Sequence, residues 1–216
     1  MPKVSIETAL TELKKLYPDA KCSLDYTTPL DLLVATILSA QCTDKRVNIV
    51  TKTLFKKYRK PEDYLAVPAE ELEQDIHSCG TYRMKTKSIR ETCKLLIEKF
   101  DGQVPRTMEE LTELRGVGRK TAAIVLSTIY GINEGIPVDT HVMRLSQWLG
   151  LTREKTQAKI EADLMKKTPR KEWANLSHLL VYHGRNYYMA RNPVCTNHPF
   201  RCDGSDTGSR LKKVRS

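Results

Sequence analysis

Apolar residues recur at every third or fourth position along most of the chain, which is the spacing of amphipathic helices. The first such helix begins after Ser5 and has an apolar face made of Ile6, Leu10, Leu13 and Tyr17. The second opens at Pro29, and residues 30–40 are apolar on nearly every side, which is typical of a helix at the centre of a domain. Because the sequence shows no sustained strand-like alternation, it predicts an all-α fold.

The same spacing predicts further helices as far as residue 183. Longer ones are expected at 44–58, 84–100, 121–129, 139–149 and 173–183, and shorter ones open at Pro61 and Pro68. Thr152 is expected to cap a charged helix that ends near Pro169. On the helix at 84–100, three basic residues are expected to form a solvated face: Lys85, Lys87 and Arg90.

The helices are organised around residues 114–123, which read Leu-Arg-Gly-Val-Gly-Arg-Lys-Thr-Ala-Ala. Upstream, Thr107 is followed three residues later by Glu110, the spacing of a capping box at the start of a short helix. Gly116 and Gly118 give the backbone the freedom that a tight hairpin between two helices requires. The sequence therefore predicts a helix-hairpin-helix at this position.

A helix that begins directly after two glycines presents backbone N–H groups that have no partner within the helix. Together with the positive end of the helix dipole, these groups form a site for an anion such as a phosphate. Arg119 and Lys120 add positive charge at the same point. An ordinary packing corner between two helices is the alternative interpretation of the glycines alone.

A second helix start lies beyond the hairpin, in the stretch at 137–145 that reads Pro-Val-Asp-Thr-His-Val-Met-Arg-Leu. Asp139 is positioned as the N-cap of that helix. Lys120 and Asp139 also make a nucleophile and carboxylate pair if the fold brings them together. The helix N-terminus, the charge of Arg119 and partial burial are expected to favour the neutral, nucleophilic amine of Lys120.

The charge balance indicates a polyanionic partner. The 216 residues include 36 Lys and Arg against 26 Asp and Glu, a formal net charge of +10, and such a balance favours nucleic acid. Only three Phe and two Trp are present, so a large aromatic stacking platform is not expected. The longest apolar run, Leu32 to Leu38, is too short to span a bilayer, and the start does not read as a signal peptide. We therefore expect a cytoplasmic, nucleoid-associated protein with no membrane partner.

The hairpin string and Val138-Asp139-Thr140-His141-Val142-Met143-Arg144 resemble the endonuclease III family. This family comprises bifunctional DNA glycosylase/AP lyases of the helix-hairpin-helix, Gly-Pro-Asp superfamily. The resemblance extends over about residues 5–195 and includes the runs at 38–44 and 181–185. It implies two helical lobes with a DNA-binding cleft between them: residues 22–132 as a six-helix lobe with the hairpin, and residues 1–21 plus 133–204 with Asp139. Residues 205–216 are expected to be a flexible basic tail.

The resemblance also implies roles for individual residues. Lys120 would attack the sugar and form a Schiff base, Asp139 would assist it, and Gln41 would fill the space that an extruded base leaves. The other expected contacts to double-stranded DNA are Thr81, Gly116, Val117, Gly118, Arg119, Thr121, His141 and Arg144. The expected activity is removal of oxidised pyrimidines followed by β-elimination 3′ to the abasic site, carried out by a monomer.

The C-terminal stretch departs from the family pattern. Members usually hold a [4Fe–4S] cluster on Cys-x6-Cys-x2-Cys-x5-Cys, and on this chain the first three positions fall on Tyr188, Cys195 and His198. Cys202 is two residues too early for the fourth position. Because two thiolates do not hold such a cluster, we expect no cofactor. Zinc on Cys195, His198 and Cys202, with His183 as a conceivable fourth ligand, is the weaker alternative.

Two other functions stay open on the sequence alone. A related glycosylase would act on another lesion, such as 8-oxoguanine or a mispaired thymine. A non-catalytic helix-hairpin-helix protein would only hold the DNA backbone, although such a protein needs neither Lys120 nor Asp139.

Overall fold

The structure is a computed structural model that describes residues 4–186 and residue 200. Over these residues the chain is helical with turns between helices, and none of them lies in a strand, so the prediction of an all-α fold is confirmed for this part of the chain. The α-helices are α1 (Ile6–Leu16), α2 (Pro29–Leu38), α3 (Asp44–Lys57), α4 (Pro61–Ala66), α5 (Ala69–Ile76), α6 (Tyr82–Phe100), α7 (Met108–Glu113), α8 (Arg119–Tyr130), α9 (Thr140–Trp148), α10 (Gln157–Lys167) and α11 (Trp173–Asn186). Short 3-10 turns lie at His77–Cys79 and Arg170–Glu172.

The first compact unit, Cys22–Glu134, contains α2 to α8 and is called the hairpin unit below. Over these residues, all of them described, it has seven α-helices rather than the expected six. Its centre is α2, in which every residue from Leu30 to Leu38 is buried, as the all-round apolar pattern predicts. The hydroxyl of Thr28 accepts the N–H of Asp31 while the Asp31 carboxylate accepts the N–H of Thr28, a complete capping box. These bonds set where the central helix begins.

Helix α6 packs on α2, α4 and α5 and supports much of the hairpin unit. Its basic residues correct the expectation of a solvated face, because only Lys87 is exposed. Lys85 is 4% exposed. The guanidinium of Arg90 donates to the carbonyls of Tyr64 (2.8 Å) and Val67 (2.6 Å) at the end of α4. The long side chains reach neighbouring helix ends, whose free carbonyls replace water as hydrogen-bond partners.

The second compact unit joins Met1–Lys21 to Gly135–Ser216 and is called the terminal unit; residues 4–21, 135–186 and 200 of it are described. Helix α11 packs on α9 and α1 around a core that includes Leu13, Leu145 and Leu176. The expectation for Thr152 is wrong, because α10 begins five residues later, after Thr156. The Thr152 hydroxyl instead donates to Asp163 at 2.6 Å, so a tertiary partner competes with the helix cap.

Among residues 4–186, no helix has the length and apolar character needed to cross a bilayer. The predicted boundary after residue 132 lies close to the division between the two units at Glu134. The predicted basic tail at 205–216 lies outside the described residues.

Candidate functional site

The hairpin between α7 and α8 is built as a tight turn with buried anchors. Leu114 and Val117 are 2% and 4% exposed, and the N–H of Val117 donates to the Leu114 carbonyl at 3.1 Å. Gly116 has a φ of +79°, a conformation in which a side chain is strained. Val117 therefore fixes the turn from inside, and its N–H is already engaged within the turn.

One face of α6 supports this turn. A Cβ on Gly116 would lie 3.1 Å from Cβ of Ser88, so the backbone approaches α6 as closely as a glycine permits. The Thr92 hydroxyl donates to the Arg115 carbonyl at 3.0 Å, and the Arg115 guanidinium donates to Glu91 at 2.7 Å. The hairpin is thus held by α6 at several points.

The start of α8 presents its first backbone N–H groups at an open surface. Gly118 is its N-cap, no side chain caps it, and nothing lies within 4 Å of a Cβ placed there. The first intrahelical bond from this end joins the N–H of Ala122 to the Gly118 carbonyl at 3.0 Å, so the preceding amides of Lys120 and Thr121 have no partner within the helix. A phosphate suits this helix start, because backbone amides and the positive end of the helix dipole meet there and two basic residues add positive charge.

The two basic residues at this helix start are both exposed. Arg119 donates from Nη2 to the carbonyl of Glu134 at 3.1 Å, which ties its side chain to the segment that follows α8. Lys120 is the second residue of α8, and its exposure makes the expectation of partial burial wrong. Thr121 is half-buried behind it.

Gln41 and Thr81, predicted to contact DNA, both lie in exposed loops with an unusual backbone. Their φ angles are +54° and +42°. Such values are uncommon outside glycine, and a β-branched residue such as Thr81 is a marked exception. Each conformation costs on the order of 1–3 kcal/mol and persists only where the surrounding structure imposes it. The hairpin unit therefore holds two exposed side chains in defined, strained positions.

Asp139 is the N-cap of α9, as predicted from the sequence. Its Oδ1 accepts the backbone N–H groups of His141 and Val142, both at 2.8 Å. The segment before it is fixed by Ser177, whose hydroxyl donates to the Pro137 carbonyl at 2.7 Å in a buried position. Asp139 is half-buried. Its carboxylate is therefore held rigidly and is still accessible to solvent.

His141 and Arg144 lie together on α9 and pack against α11. Arg144 Nη2 lies 3.1 Å from Nδ1 of His141 and donates to the Gly184 carbonyl at 3.2 Å. A Cβ on Gly184 would lie only 2.9 Å from Nδ1 of His141, so glycine is needed for this close approach. Burial lowers the pKa of His141 below its ordinary value; Asp139 opposes this effect and Arg144 adds to it. The imidazole is therefore neutral near pH 7.

The C-terminal metal candidates Cys195, His198 and Cys202 lie outside the described residues. Their chemistry does not fit a [4Fe–4S] cluster, because tyrosine stands at one of the four cysteine positions and histidine at another. His183 is fully buried, and its Nδ1 is hydrogen bonded to the Tyr17 hydroxyl at 3.0 Å. Phe200 is 5% exposed and meets the His183 ring edge-on at 5.9 Å between centroids. His183 thus serves an aromatic packing cluster in the terminal unit.

Three residues that support this site have no functional role in the sequence analysis. Lys85 is the most informative, because it bonds to both of the loops that carry Gln41 and Thr81. Ser177 anchors the segment before Asp139, and Gly184 permits the contact with His141. Gly184 lies in the run at 181–185 that carries the family resemblance, so the sequence offers a signal for it. Lys85 and Ser177 have no such signal, because their partners are distant in sequence.

Comparison with known proteins gives concordant matches. Residues 34–170 match the family model of the HhH-GPD superfamily base excision DNA repair protein. Endonuclease III from Synechocystis sp. is 54% identical over 183 residues, which cover 85% of this chain and 84% of the relative. A solved structure of a trapped endonuclease III–DNA covalent intermediate, the estranged-adenine complex, is 48% identical with a TM-score of 0.87, covering 90% and 92% of the two chains. A non-covalent endonuclease III–DNA complex is 46% identical with a TM-score of 0.88, covering 98% and 97%.

Proposed function

Since this chain belongs to the HhH-GPD superfamily of base excision DNA repair proteins and, within it, to the endonuclease III family, we propose that it removes oxidised pyrimidines from duplex DNA. The family membership makes the chain a DNA glycosylase and AP lyase that acts on DNA. The proposal adds the class of lesion and the residues that carry out each step. It also includes action as a monomer at the nucleoid.

The observation that carries the proposal is the exposed amine of Lys120 directly after the hairpin, at a helix start suited to binding a phosphate. The amine attacks C1′ of the damaged nucleotide, and the bond from C1′ to the base breaks as the base leaves. The sugar ring opens to give a Schiff base with Lys120. Loss of a proton from C2′ then expels the 3′ phosphate, which cuts the strand 3′ to the lesion by β-elimination.

Asp139 provides the carboxylate in this proposal. One of its oxygens is bound by two backbone N–H groups of α9, so the carboxylate is held in a single orientation. It accepts the proton that the Lys120 amine loses and stabilises positive charge that develops on the sugar. A rigid carboxylate performs both tasks without the cost of reorganising during the reaction.

The remaining residues hold and open the duplex. Amides at the start of α8, together with Gly116 and Gly118 in the turn, bind a backbone phosphate near the lesion without reading the base sequence. Gln41 fills the gap that the extruded nucleotide leaves, and Thr81 meets the duplex beside it. His141 and Arg144, joined at 3.1 Å, contribute further contacts to the backbone of the damaged strand.

Base release from three duplexes tests the choice of lesion. The duplexes are identical except for one oxidised thymine, one 8-oxoguanine opposite cytosine, or one thymine mispaired with guanine. We expect the oxidised thymine to be released at least about tenfold faster than either alternative, a difference of roughly 1.4 kcal/mol in transition-state binding. Faster release of 8-oxoguanine or of mispaired thymine would overturn the assignment of substrate. Tight binding to all three without release of any base would indicate a non-catalytic DNA-binding protein.

We further propose that the chain works without a [4Fe–4S] cluster. The support is the donor set, in which three of the four cysteine positions, at Tyr188, His198 and Gly204, are not cysteine. Packing of Phe200 against His183 offers another means of attaching the C-terminal segment to the terminal unit. Iron analysis of purified protein tests this directly, and a content close to four iron atoms per chain would contradict it. One zinc per chain, lost on replacing Cys195 and Cys202 by Ser, would support the alternative metal site.

A further inference from the structure

A buried lysine in α6 joins the two loops that carry Gln41 and Thr81. Lys85 is 4% exposed, and its ammonium group donates to the carbonyl of Leu38 at 2.8 Å and to that of Cys79 at 2.8 Å. Leu38 is the last residue of α2, and Cys79 ends the 3-10 turn before α6. One charged group therefore bridges two chain segments that are distant in sequence.

Each bonded carbonyl lies just before a residue with positive φ. Leu38 precedes Gln41 by three positions, and Cys79 precedes Thr81 by two. The backbone N–H of Lys85 also donates to the Thr81 carbonyl at 3.1 Å. Lys85 thus contacts both loops close to the strained residues, where its bonds oppose relaxation of the backbone.

The same two loops meet at a second point. The 3-10 turn that contains Cys79 packs on α3, which begins two residues after Cys42, and burial together with the neighbouring Cys42 thiol raises the pKa of the Cys79 thiol. Burial lowers the pKa of the Lys85 ammonium below its ordinary value, which is the expected consequence of placing this group between the loops. The carbonyl oxygens offset part of the loss of water around the charge.

The loop junction and the hairpin turn share one face of α6. Lys85, Ser88 and Thr92 follow the i, i+3, i+7 spacing of a single helix stripe. Lys85 contacts the loops, whereas Ser88 and Thr92 contact the hairpin turn at Gly116 and Arg115. Seven residues of helix correspond to about 10 Å, so the two features are held at a fixed separation along one rigid element.

We propose that Lys85 is a positioning residue that holds the Gln41 and Thr81 loops at a fixed spacing, so that both side chains meet the duplex together when a nucleotide leaves the stack. This inference rests on the proposed roles of Gln41 and Thr81. A preset spacing lowers the ordering that binding requires. The benefit is specific to duplex DNA, because Gln41 and Thr81 must support the unpaired base of an opposite strand, which a single strand lacks.

Two substrates that carry the same abasic site separate positioning from folding. One contains the site in a duplex, the other in a single strand, and cutting of both by the lyase is measured as kcat/KM. We expect Lys85→Met to lower the ratio of duplex to single-strand cutting by about tenfold or more, since only the duplex needs the spaced loops. Lys87→Met is the matched control, because it removes the same charge from an exposed position of the same helix and leaves the ratio unchanged.

Further variants make the test decisive. Lys85→Arg keeps a charged donor and is expected to retain most of the ratio of duplex to single-strand cutting. If Lys85→Met folds poorly, the ratio measured with Lys85→Arg tests the proposal instead. Combining Lys85→Met with Gln41→Ala is expected to lower the ratio little beyond Gln41→Ala alone, because both changes disable the same function. Equal loss on both substrates would show a merely structural role, and no loss on either substrate would show that Lys85 has no role; both results would overturn the proposal. Failure of the oxidised-pyrimidine assignment does not affect this test, since neither substrate carries a damaged base.

Discussion

Replacing Asp139 by Asn and by Ala separates its structural role from its proposed chemical role. Its Oδ1 accepts two backbone N–H groups at the start of α9, both at 2.8 Å. Asn carries an oxygen at the same position and retains both bonds, whereas Ala retains neither. The two variants therefore differ in the cap while both lack the carboxylate.

The expected losses of stability follow from these bonds. Removing an N-cap costs about 1 kcal/mol, which lowers the melting temperature by about 2–4 °C for a protein of this size. Asn loses only the interaction of the negative charge with the helix dipole, about 0.3–1 kcal/mol, so its melting temperature falls less. Turnover depends on the carboxylate in both variants, and a group of this kind contributes about 10²–10⁴-fold.

Thermal unfolding, affinity for an abasic duplex and the rate of strand cutting are measured on the same preparations. Ser5→Ala is the control, because Ser5 caps α1 through one bond to the N–H of Thr8 at 3.0 Å in the same unit. This control is expected to lose stability like Asp139→Ala while it keeps its turnover. Turnover in Asp139→Asn within about threefold of the unmodified protein would refute the chemical role, since the general acid–base contribution is far larger.

Two further predictions concern the hairpin and the response to pH. Gly116→Ala should destabilise the fold by about 1–3 kcal/mol, because φ is +79° and Ser88 is in close contact. Gly118→Ala should leave the free energy of unfolding nearly unchanged and weaken DNA binding, because its Cβ would stand where a phosphate approaches. Urea unfolding and duplex binding distinguish the two variants, and equal losses of stability would contradict the account. Burial lowers the pKa of His178 below its ordinary value, so the unfolded chain binds more protons and the free energy of unfolding should fall as pH drops through about 6.5. His178→Gln should reduce that fall in urea titrations, and an identical pH dependence in the variant would count against it.

Local signals in the sequence predict the helices well where the partners are near in the chain. Thr107 and Asp139 both cap their helices as predicted, because each uses backbone groups within three residues. The second half of the predicted capping box differs, since the Glu110 carboxylate accepts from the Thr107 hydroxyl at 2.7 Å. Gly116 adopts the positive φ that the tight hairpin requires. The hairpin and both helix starts therefore follow from residue types and short spacings alone.

Prediction from local sequence signals fails where the hydrogen-bond partner is distant in sequence. Lys85 reads as a solvated residue because it stands among other basic residues, yet its ammonium binds a carbonyl 47 positions away. Thr152 reads as a helix cap, but Asp163 takes its hydroxyl and the helix begins after Thr156. Such contacts depend on how helices pack, which residue types and spacing do not encode locally.

Covalent trapping of the Schiff base with borohydride tests the central claim most directly. The unmodified chain is mixed with a duplex that contains an oxidised thymine, reductant is added, and the covalent protein–DNA product is measured. Lys120→Ala is run alongside Lys94→Ala, which removes an exposed lysine from α6 far along the helix from the loop contacts. The account predicts a trapped product with the unmodified chain and with Lys94→Ala, and none with Lys120→Ala. A product of equal yield from Lys120→Ala would contradict Lys120 as the nucleophile.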